Sequence, residues 1–221
     1  MAYVYLIASF IMAIFWAIFF IIRKDLRKKI LFTSLIGGIL GFTEIFFVPN
    51  YWNPQFEVFK IRNDLFFESF IFTFFLAGFS STLYQVIFRK PLFKVEKIKR
   101  RILLLLPIIF FIYILIPEIN VIFFSISSML IVSFLFYLSE KKIGKAILIN
   151  GILNFTFFTS LYLFFWNLFP SIQTSYNYEV LSGINITGIP IEELLFYFAM
   201  GTNFCLFYEI LNKRSKNLKS Q

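Results

Sequence analysis

The chain has 221 residues, 59% of them hydrophobic and 22% aromatic, and its formal net charge is +9. Soluble domains are about half apolar, so this composition, with recurring runs of about 20 apolar residues, predicts an integral membrane protein. The single Cys and the absence of His exclude a disulfide framework and argue against zinc, iron or copper sites that rely on imidazole. We therefore predict one all-α membrane domain over residues 1–221, without a metal or another cofactor.

Seven stretches are predicted as transmembrane helices. In chain order they cover residues 3–22, 30–48, 65–88, 102–116, 119–138, 146–168 and 189–211. The first is a retained span rather than a signal peptide, because basic residues follow it instead of preceding it. The fourth is short, and only Pro117 separates it from the fifth, so we expect these two spans to form a tight helical hairpin.

The basic residues predict the orientation of the chain. Four segments, 23–29, 89–101, 141–145 and the tail at 213–221, hold all Lys and Arg except Lys60 and Arg62. With seven spans these segments lie on one side, which the positive-inside rule makes cytoplasmic. We therefore predict an outside N-terminus and a cytoplasmic C-terminus in the cytoplasmic membrane of a prokaryote. Topology and attraction to anionic lipid explain the basic loops without a nucleic-acid partner.

An internal repeat relates the two halves of the chain. The segments "GGILGFTE" (37–44) and "NGILNFTF" (150–157) share Gly, Ile, Leu, Phe and Thr, and each is followed by a polar loop and a helix with an acid near its start. Setting Glu68 against Glu192 aligns these helices. We predict two parallel three-helix repeats, at 1–88 and 117–212, joined by a basic loop and a connecting helix at 89–116 and followed by the tail.

Four acids are predicted about one helical turn inside the outer face of the membrane: Glu44, Glu68, Glu192 and Glu193. A carboxylate that faces lipid is costly, so these side chains should face the bundle interior. No Lys or Arg is predicted within the spans to pair with them, so at least one is expected to stay protonated near neutral pH and act as a Brønsted acid. Glu209, near the inner end, is expected to snorkel or to meet the basic tail.

A simpler interpretation exists for part of this pattern. Glu192 and Glu193 follow Pro190 at a helix start, where acids cap free N–H groups and suit the helix dipole. Likewise, the polar residues of spans six and seven, Asn154 among them, suit interhelical hydrogen bonds. Three glycines of span two are interpreted as sites of close helix packing: Gly37, Gly38 and Gly41.

The stretch "YNYEVLSGINITGIPIEELLFYF" (176–198) resembles the lycopene cyclase domain of the small integral-membrane carotenoid cyclases, which include heterodimeric bacterial enzymes and fused fungal and archaeal relatives. The first repeat resembles it only in outline, since residues 51–70 keep a single motif acid, Glu68. The resemblance implies redox-neutral acid–base cyclisation of lycopene or a similar lipophilic polyene, with Glu192 and Glu193 as acid and base. Glu68 and Glu44 are added as catalytic candidates because of their depth. Predicted substrate contacts are Pro190, Phe196, Tyr178 and Asn154.

Other membrane protein classes fit less well. A retinal protein needs a Lys inside the last span, and Lys213 lies beyond it. Prenyl-protein proteases of the Glu-Glu type need His, and membrane prenyltransferases need Asp-rich sites, whereas Asp25 and Asp64 are the only Asp residues. The remaining alternative is a non-enzymatic binder or transporter of a hydrophobic molecule that uses the carboxylates as proton or cation sites. The sequence leaves a homo-oligomer open.

Overall fold

A computed structural model describes residues 3–54, 58–62, 64–116 and 118–213 of the protein. Pro117 and residues 214–221, most of the predicted tail, lie outside the described residues. The helices are α1 (Val4–Ile22), α2 (Arg27–Leu40), α3 (Phe67–Ile87), α4 (Leu105–Phe111), α5 (Val121–Ser139), α6 (Lys141–Leu168), α7 (Ile191–Phe204) and α8 (Phe207–Leu211). Two short antiparallel β-hairpins precede α3 and α7, formed by β1 (Lys60–Arg62) with β2 (Leu65–Phe66) and by β3 (Asn185–Ile186) with β4 (Ile189–Pro190).

Six of the predicted spans are confirmed as helical segments of membrane-spanning length and composition. They are Val4–Ile22, Lys24–Phe46, Phe67–Ile87, Val121–Ser139, Lys141–Leu168 and Ile191–Leu211, where the second includes a 3₁₀ extension of α2 at Gly41–Phe46 and the last joins α7 to α8. The protein is therefore an all-α membrane protein, as its apolar runs predict.

The fourth predicted span does not form a regular transmembrane helix. Residues 102–116 contain only the short helix α4, flanked by 3₁₀ turns at Arg100–Leu104 and Ile112–Leu115. A spanning helix needs about 20 residues. Pro107 lies within α4, where its missing N–H removes a helical hydrogen bond. The prediction of seven regular transmembrane helices is therefore not confirmed.

The helices have two distinct ends, which we name by their contents. The basic end consists of residues 23–29, 88–101, 139–141 and 209–213; the hairpin end consists of residues 47–54, 58–62, 64–66, 118–120 and 169–190. The segment around α4 connects them: Arg100 Nε donates to the Ile210 carbonyl at the basic end, 3.2 Å away, and Asn120 Nδ2 donates to the Asn50 carbonyl at the hairpin end, 3.4 Å away.

The helices pack as two triads with α3 and α7 at the centre. In the first triad α1 and α2 pack on α3, and in the second α5 and α6 pack on α7, while α3 also contacts α6 and α7. Small residues permit the closest approach, as the sequence predicts. A Cβ on Gly37 would lie 2.3 Å from the Cβ of Ala77 on α3, so a larger residue would force α2 and α3 apart.

The two triads contact each other at residue pairs that share one sequence separation. Gln85 and Glu209 are 124 residues apart and contact each other at the basic end, where Gln85 Nε2 lies 3.4 Å from Glu209 Oε1. Trp52 and Tyr176 have the same separation and form an antiparallel bridge at the hairpin end. The helices α3 and α7 also begin at positions with this separation, Phe67 and Ile191, each directly after its β-hairpin.

The hairpin before α7 has a tight turn with left-handed backbone conformations. Thr187 and Gly188 join β3 to β4 and have φ angles of 54° and 89°. Two consecutive positive φ angles characterise the type I′ turn, whose twist matches that of paired strands. The extended backbone of Pro190 then leads into α7. This turn sets the position at which the two acids of "PIEE" enter the helix.

The interpretation of Lys29 as a loop residue is wrong. Helix α2 already begins at Arg27, and the Lys29 side chain is fully buried. Its Nζ lies 2.9 Å from Glu209 Oε1 and 2.6 Å from the Cys205 carbonyl. Glu209 therefore does not snorkel: within the described residues it forms a buried ion pair with a lysine of the first triad.

A second acid, Glu140, holds the loop at residues 89–99 against the basic end of the helices. Glu140, between α5 and α6, accepts backbone N–H groups from Glu96 and Lys97 at 3.1 and 2.9 Å. These bonds favour the charged carboxylate and hold the pKa of Glu140 below its ordinary value, with the Lys97 N–H contributing most. Glu140 thus holds the basic loop through backbone N–H groups of the loop, and many of the charged side chains of the loop face outward.

Candidate active site

A cavity of about 230 Å³ lies between the two triads near the hairpin end. Six pairs of residues with the 124-residue separation contribute to its wall: Gly41 and Phe165, Tyr51 and Ser175, Trp52 and Tyr176, Ser69 and Glu193, Phe72 and Phe196, and Thr73 and Tyr197. The cavity therefore lies where the two triads meet, but its two sides differ chemically. At one of these pairs the first triad presents Ser69 and the second presents the acid Glu193.

Glu193 is the central polar group of the cavity. Its carboxylate, on the first turn of α7, accepts hydrogen bonds from the Tyr51 hydroxyl and, at 2.7 Å, from the Tyr162 hydroxyl. The Tyr162 oxygen lies 3.1 Å from that of Tyr176 and 3.3 Å from that of Tyr197. One carboxyl group is thus surrounded by a network of four phenols in a mostly aromatic and aliphatic wall.

The phenols at the hairpin end remain protonated donors. Burial, followed by the nearby Glu193 carboxylate, raises the pKa of Tyr51 well above its ordinary value, and the same two causes raise the pKa of Tyr176. Phenol donors of this kind stabilise a carboxylate after it has given up a proton. The arrangement suits an acid that must release a proton in a dry site and take one back.

Glu44 is the second of the four predicted acids that lines the cavity. It lies on the 3₁₀ extension of α2 and is 8% exposed. Its Oε2 accepts a hydrogen bond from the Phe66 N–H at 3.1 Å, which ties it to the start of α3. Glu44 and Glu193 thus reach the same cavity from different triads.

Glu68 and Glu192 have different surroundings. Glu68 Oε1 accepts the backbone N–H groups of Val58 and Phe59 at 2.7 and 2.9 Å, and Glu192 Oε1 accepts that of Ser182 at 2.7 Å. Both acids reach back ten residues along the chain, to the segment that leads into their own β-hairpin. Both are almost fully buried, yet neither lines the cavity. Glu68 and Glu192 therefore make similar contacts with the chain segments that precede them.

Helix capping does not account for the two adjacent acids. Pro190 is the N-cap residue of α7 and has no side-chain cap, and the bonded carboxylate oxygens of Glu192 and Glu193 are engaged by a loop N–H and by phenols. Because successive residues on a helix point about 100° apart, Glu193 faces the cavity while Glu192 faces the β-hairpin.

Of the four predicted substrate contacts, one lines the cavity. Phe196 lines the cavity. Pro190 is buried in β4, and Tyr178 lies in the preceding loop with 41% of its surface exposed. Asn154 is buried between helices, where its Nδ2 donates to the carbonyls of Ser80 and Asn150 at 3.3 and 2.8 Å. Asn154 therefore makes interhelical hydrogen bonds, as the simpler interpretation predicts. Three of the four predicted substrate contacts lie away from the cavity wall.

The sequence patterns do not identify the four tyrosines around Glu193. The chain has 35 Phe but only 11 Tyr. A buried Tyr within an apolar helix requires a hydrogen-bond partner for its hydroxyl group, whereas Phe does not. Tyr162 and Tyr197 stand in such helices, so their hydroxyl groups were the available signal. The sequence did not indicate that Tyr162 reaches Glu193 or that Tyr197 reaches Tyr162.

A family model matches the part of the chain that carries Glu193. Residues 120–211 match the family model described as Lycopene cyclase. The match spans α5, α6 and α7 and includes Tyr162, Glu192 and Glu193, but not Glu44 or Tyr51. It confirms the resemblance to the lycopene cyclase domain family for this part of the chain. Neither a curated protein nor a solved structure is significantly similar to the chain.

Proposed function

We propose that this protein is a lycopene β-cyclase-like enzyme of carotenoid biosynthesis, which closes a ring at the end of a linear carotenoid. The family match supports a carotenoid cyclase in general. The observation that carries the specific proposal is the Glu193 carboxyl group, which lies in an apolar cavity and accepts hydrogen bonds from Tyr51 and Tyr162. A buried carboxyl group with such partners can deliver a proton and stabilise the charge that remains.

The proposed reaction moves one proton and makes one carbon–carbon bond. Protonated Glu193 gives its proton to the terminal C=C bond of the polyene, which forms a new C–H bond and a tertiary carbocation. The neighbouring C=C bond attacks this cation and closes the ring, which moves the positive charge onto the ring. The Glu193 carboxylate then removes a ring proton and leaves a ring C=C bond. Substrate and product are isomers, and no oxidant or reductant is consumed.

The cavity wall is suited to the cationic intermediates. The rings of Trp52, Phe72 and Phe196 present π faces or edges to the space, and aromatic faces attract cations. Glu44 adds a second carboxylate that favours positive charge in the cavity. The apolar wall also excludes water, which would otherwise trap the cation as an alcohol.

Glu192 and Glu68 serve, in this proposal, as positioning residues that hold the two β-hairpins. For Glu192 this differs from the role implied by the family motif. Its Oε1 accepts the Ser182 N–H, and that bond fixes the loop that precedes α7. The neighbouring Glu193 is thereby held toward the tyrosines.

Replacement of Glu192 is expected to separate positioning from proton transfer. Glu192→Gln keeps a carbonyl oxygen for the Ser182 N–H and should retain most of the cyclase activity. Glu192→Ala leaves that donor unpaired, and since a buried unpaired donor costs about 1–3 kcal/mol, activity should fall roughly tenfold or more. Both variants are compared in ring formation per folded protein. Activity of Glu192→Gln as low as that of Glu192→Ala would contradict the positioning role.

We further propose that the two triads are parallel repeats, 1–88 and 117–212, related by a pseudo-twofold axis along the membrane normal and joined by residues 89–116. The paired contacts of Trp52 with Tyr176 and of Gln85 with Glu209 support this symmetry, since a twofold axis places equivalent residues against each other. The segment around α4 then crosses the membrane in irregular form, as the seventh crossing.

The basic end is proposed to face the cytoplasm. Its Lys and Arg residues outnumber those of the hairpin end, which supports an outside N-terminus and an inside C-terminus. The proposed location is the cytoplasmic membrane of a prokaryote. The cavity then lies near the outer face. A hydrophobic substrate dissolved in the bilayer is the partner that this position suits.

Expression in lycopene-accumulating bacteria tests the proposal, with chromatography of the extracted pigments. A cyclase converts lycopene to monocyclic or bicyclic carotenoids. The alternative, a non-enzymatic binder or transporter of a hydrophobic molecule, predicts that lycopene co-purifies unchanged. If well-expressing cells contain no cyclic carotenoid, the cyclase proposal is wrong.

A further inference from the structure

The cavity has two lateral walls that the symmetry of the triads makes equivalent. One lies between α5 and the 3₁₀ extension of α2, and it includes Ile122, Glu44 and Phe47. The other lies between the beginning of α1 and the end of α6, and it includes Ala8 and Leu161. Equivalent walls would leave equivalent openings toward the lipid, unless another element covers one of them.

The wall between α5 and the α2 extension is covered. Helix α4 packs against α5. The rings of Phe110, Phe111 and Tyr113 lie edge-on to Phe46, with centroid distances of 5.6, 5.6 and 5.8 Å. Phe110 also approaches Phe47, which lines the cavity, at 6.2 Å. The irregular segment around α4 thus acts as an apolar seal on this side.

The wall between α1 and α6 has no such cover among the described residues. Within that part of the chain, α3 is the helix that packs extensively on both α1 and α6, and it does so from the interior. The two helices meet deeper in the bundle, where the Phe15 and Phe157 rings are 5.0 Å apart. Nearer the hairpin end, Ala8 and Leu161 are both partly exposed and both line the cavity.

The size of the cavity requires an opening of this kind for the proposed substrate. Its volume of about 230 Å³ is below the range of roughly 300–1,000 Å³ that holds a drug-sized ligand. A linear carotenoid is a long rigid polyene, so only its end group fits inside. The remainder must leave through a wall, and an apolar chain is stable where that wall faces hydrocarbon.

We propose that the gap between α1 and α6 is the lateral portal through which one end of the polyene passes from the lipid into the cavity. The proposal rests on the proposed function, because that function identifies the polyene as the occupant. Ala8 is the small residue at the rim. A larger side chain there narrows the passage without changing Glu193 or its tyrosines.

The test measures how fast lycopene reaches the cavity, independently of ring formation. Trp52 and Trp166 line the cavity, and energy transfer to a nearby polyene quenches tryptophan fluorescence. Purified protein in lipid vesicles is mixed with lycopene-loaded vesicles, and quenching is followed over time. Ala8→Phe should slow quenching about fivefold or more, which corresponds to a small rise in the barrier to passage. The control is Ile7→Phe, because Ile7 is 41% exposed and does not line the cavity.

The outcomes separate the portal from the cyclase proposal. Slower quenching in Ala8→Phe alone, in protein that makes no cyclic product, supports the portal and rejects the cyclase. Equal quenching rates in both variants, in protein that does cyclise lycopene, overturn the portal and leave the cyclase standing. Vesicles of brominated phospholipid test the other occupant. If their acyl chains quench the cavity tryptophans and lycopene does not displace them, the portal holds lipid and the polyene assignment is wrong.

Discussion

Glu193→Gln is expected to abolish ring closure while the protein still folds and inserts. Gln has nearly the same shape as Glu, and its carbonyl oxygen can accept a hydrogen bond from Tyr51 or Tyr162 while its amide group donates to the other hydroxyl oxygen, but it carries no transferable acidic proton. General acid catalysis contributes about 10²–10⁴-fold to rates, so the variant should lose at least two orders of magnitude of activity. The measurement is the ratio of cyclic carotenoid to lycopene in cells with equal amounts of folded protein.

The matched control is Glu179→Gln, the same chemical change at an exposed acid outside the cavity wall. It should leave activity unchanged. Tyr162→Phe removes one donor to Glu193 and should give an intermediate loss of about tenfold, the cost of one hydrogen bond to a charged group. Retention of more than about a hundredth of the activity by Glu193→Gln would fall outside the expected range for a general acid and reject this assignment.

The sequence predicts the depth of the acids better than their directions. Apolar runs place Glu192 and Glu193 near the start of the last span, and the family motif implies that they are the catalytic acid and base. Adjacent residues on a helix face different neighbours, however, and only the folded chain shows which of them meets the cavity. Tyr51 reaches Glu193 from a loop 142 residues away in the chain, so no local pattern could have identified this contact.

The fourth span illustrates a different limit. Its composition is apolar enough to predict a transmembrane helix, and the segment does connect the two ends of the protein. Hydropathy does not report backbone regularity, and here Pro107 and the packing on Phe46 accompany a segment built largely from 3₁₀ turns. The repeat pattern does not reveal this either, because the connecting segment has no counterpart in the other half.

Lys29 was assigned to a loop because its partner, like that of Tyr51, lies far away in the chain. It belongs to a run of basic residues, and a run of this kind usually marks a cytoplasmic loop. Its partner Glu209 lies 180 residues further along the chain. The pattern correctly indicates which end of the bundle is basic, but it cannot distinguish exposed Lys28 from its buried neighbour. That distinction depends on how α2 packs against α8.

Lys29→Met is expected to produce the largest loss of stability among single substitutions at the basic end. It leaves Glu209 buried without a cation, beside Gln85, and removal of one partner of a buried ion pair costs about 3–5 kcal/mol. The free energy or midpoint temperature of unfolding in detergent measures the effect. Lys28→Met is the matched control. Lys28 directly precedes Lys29 and is exposed, so its replacement should change stability little.

The double variant Lys29→Met with Glu209→Leu distinguishes an ion pair from simple packing. Replacement of both charges by apolar groups removes the unpaired carboxylate, and such replacements are often neutral or stabilising. We therefore expect the double variant to regain most of the stability lost by Lys29→Met. If the two losses instead add, the contribution of Lys29 comes from its bond to the Cys205 carbonyl and its packing, and the charge of Glu209 is balanced elsewhere.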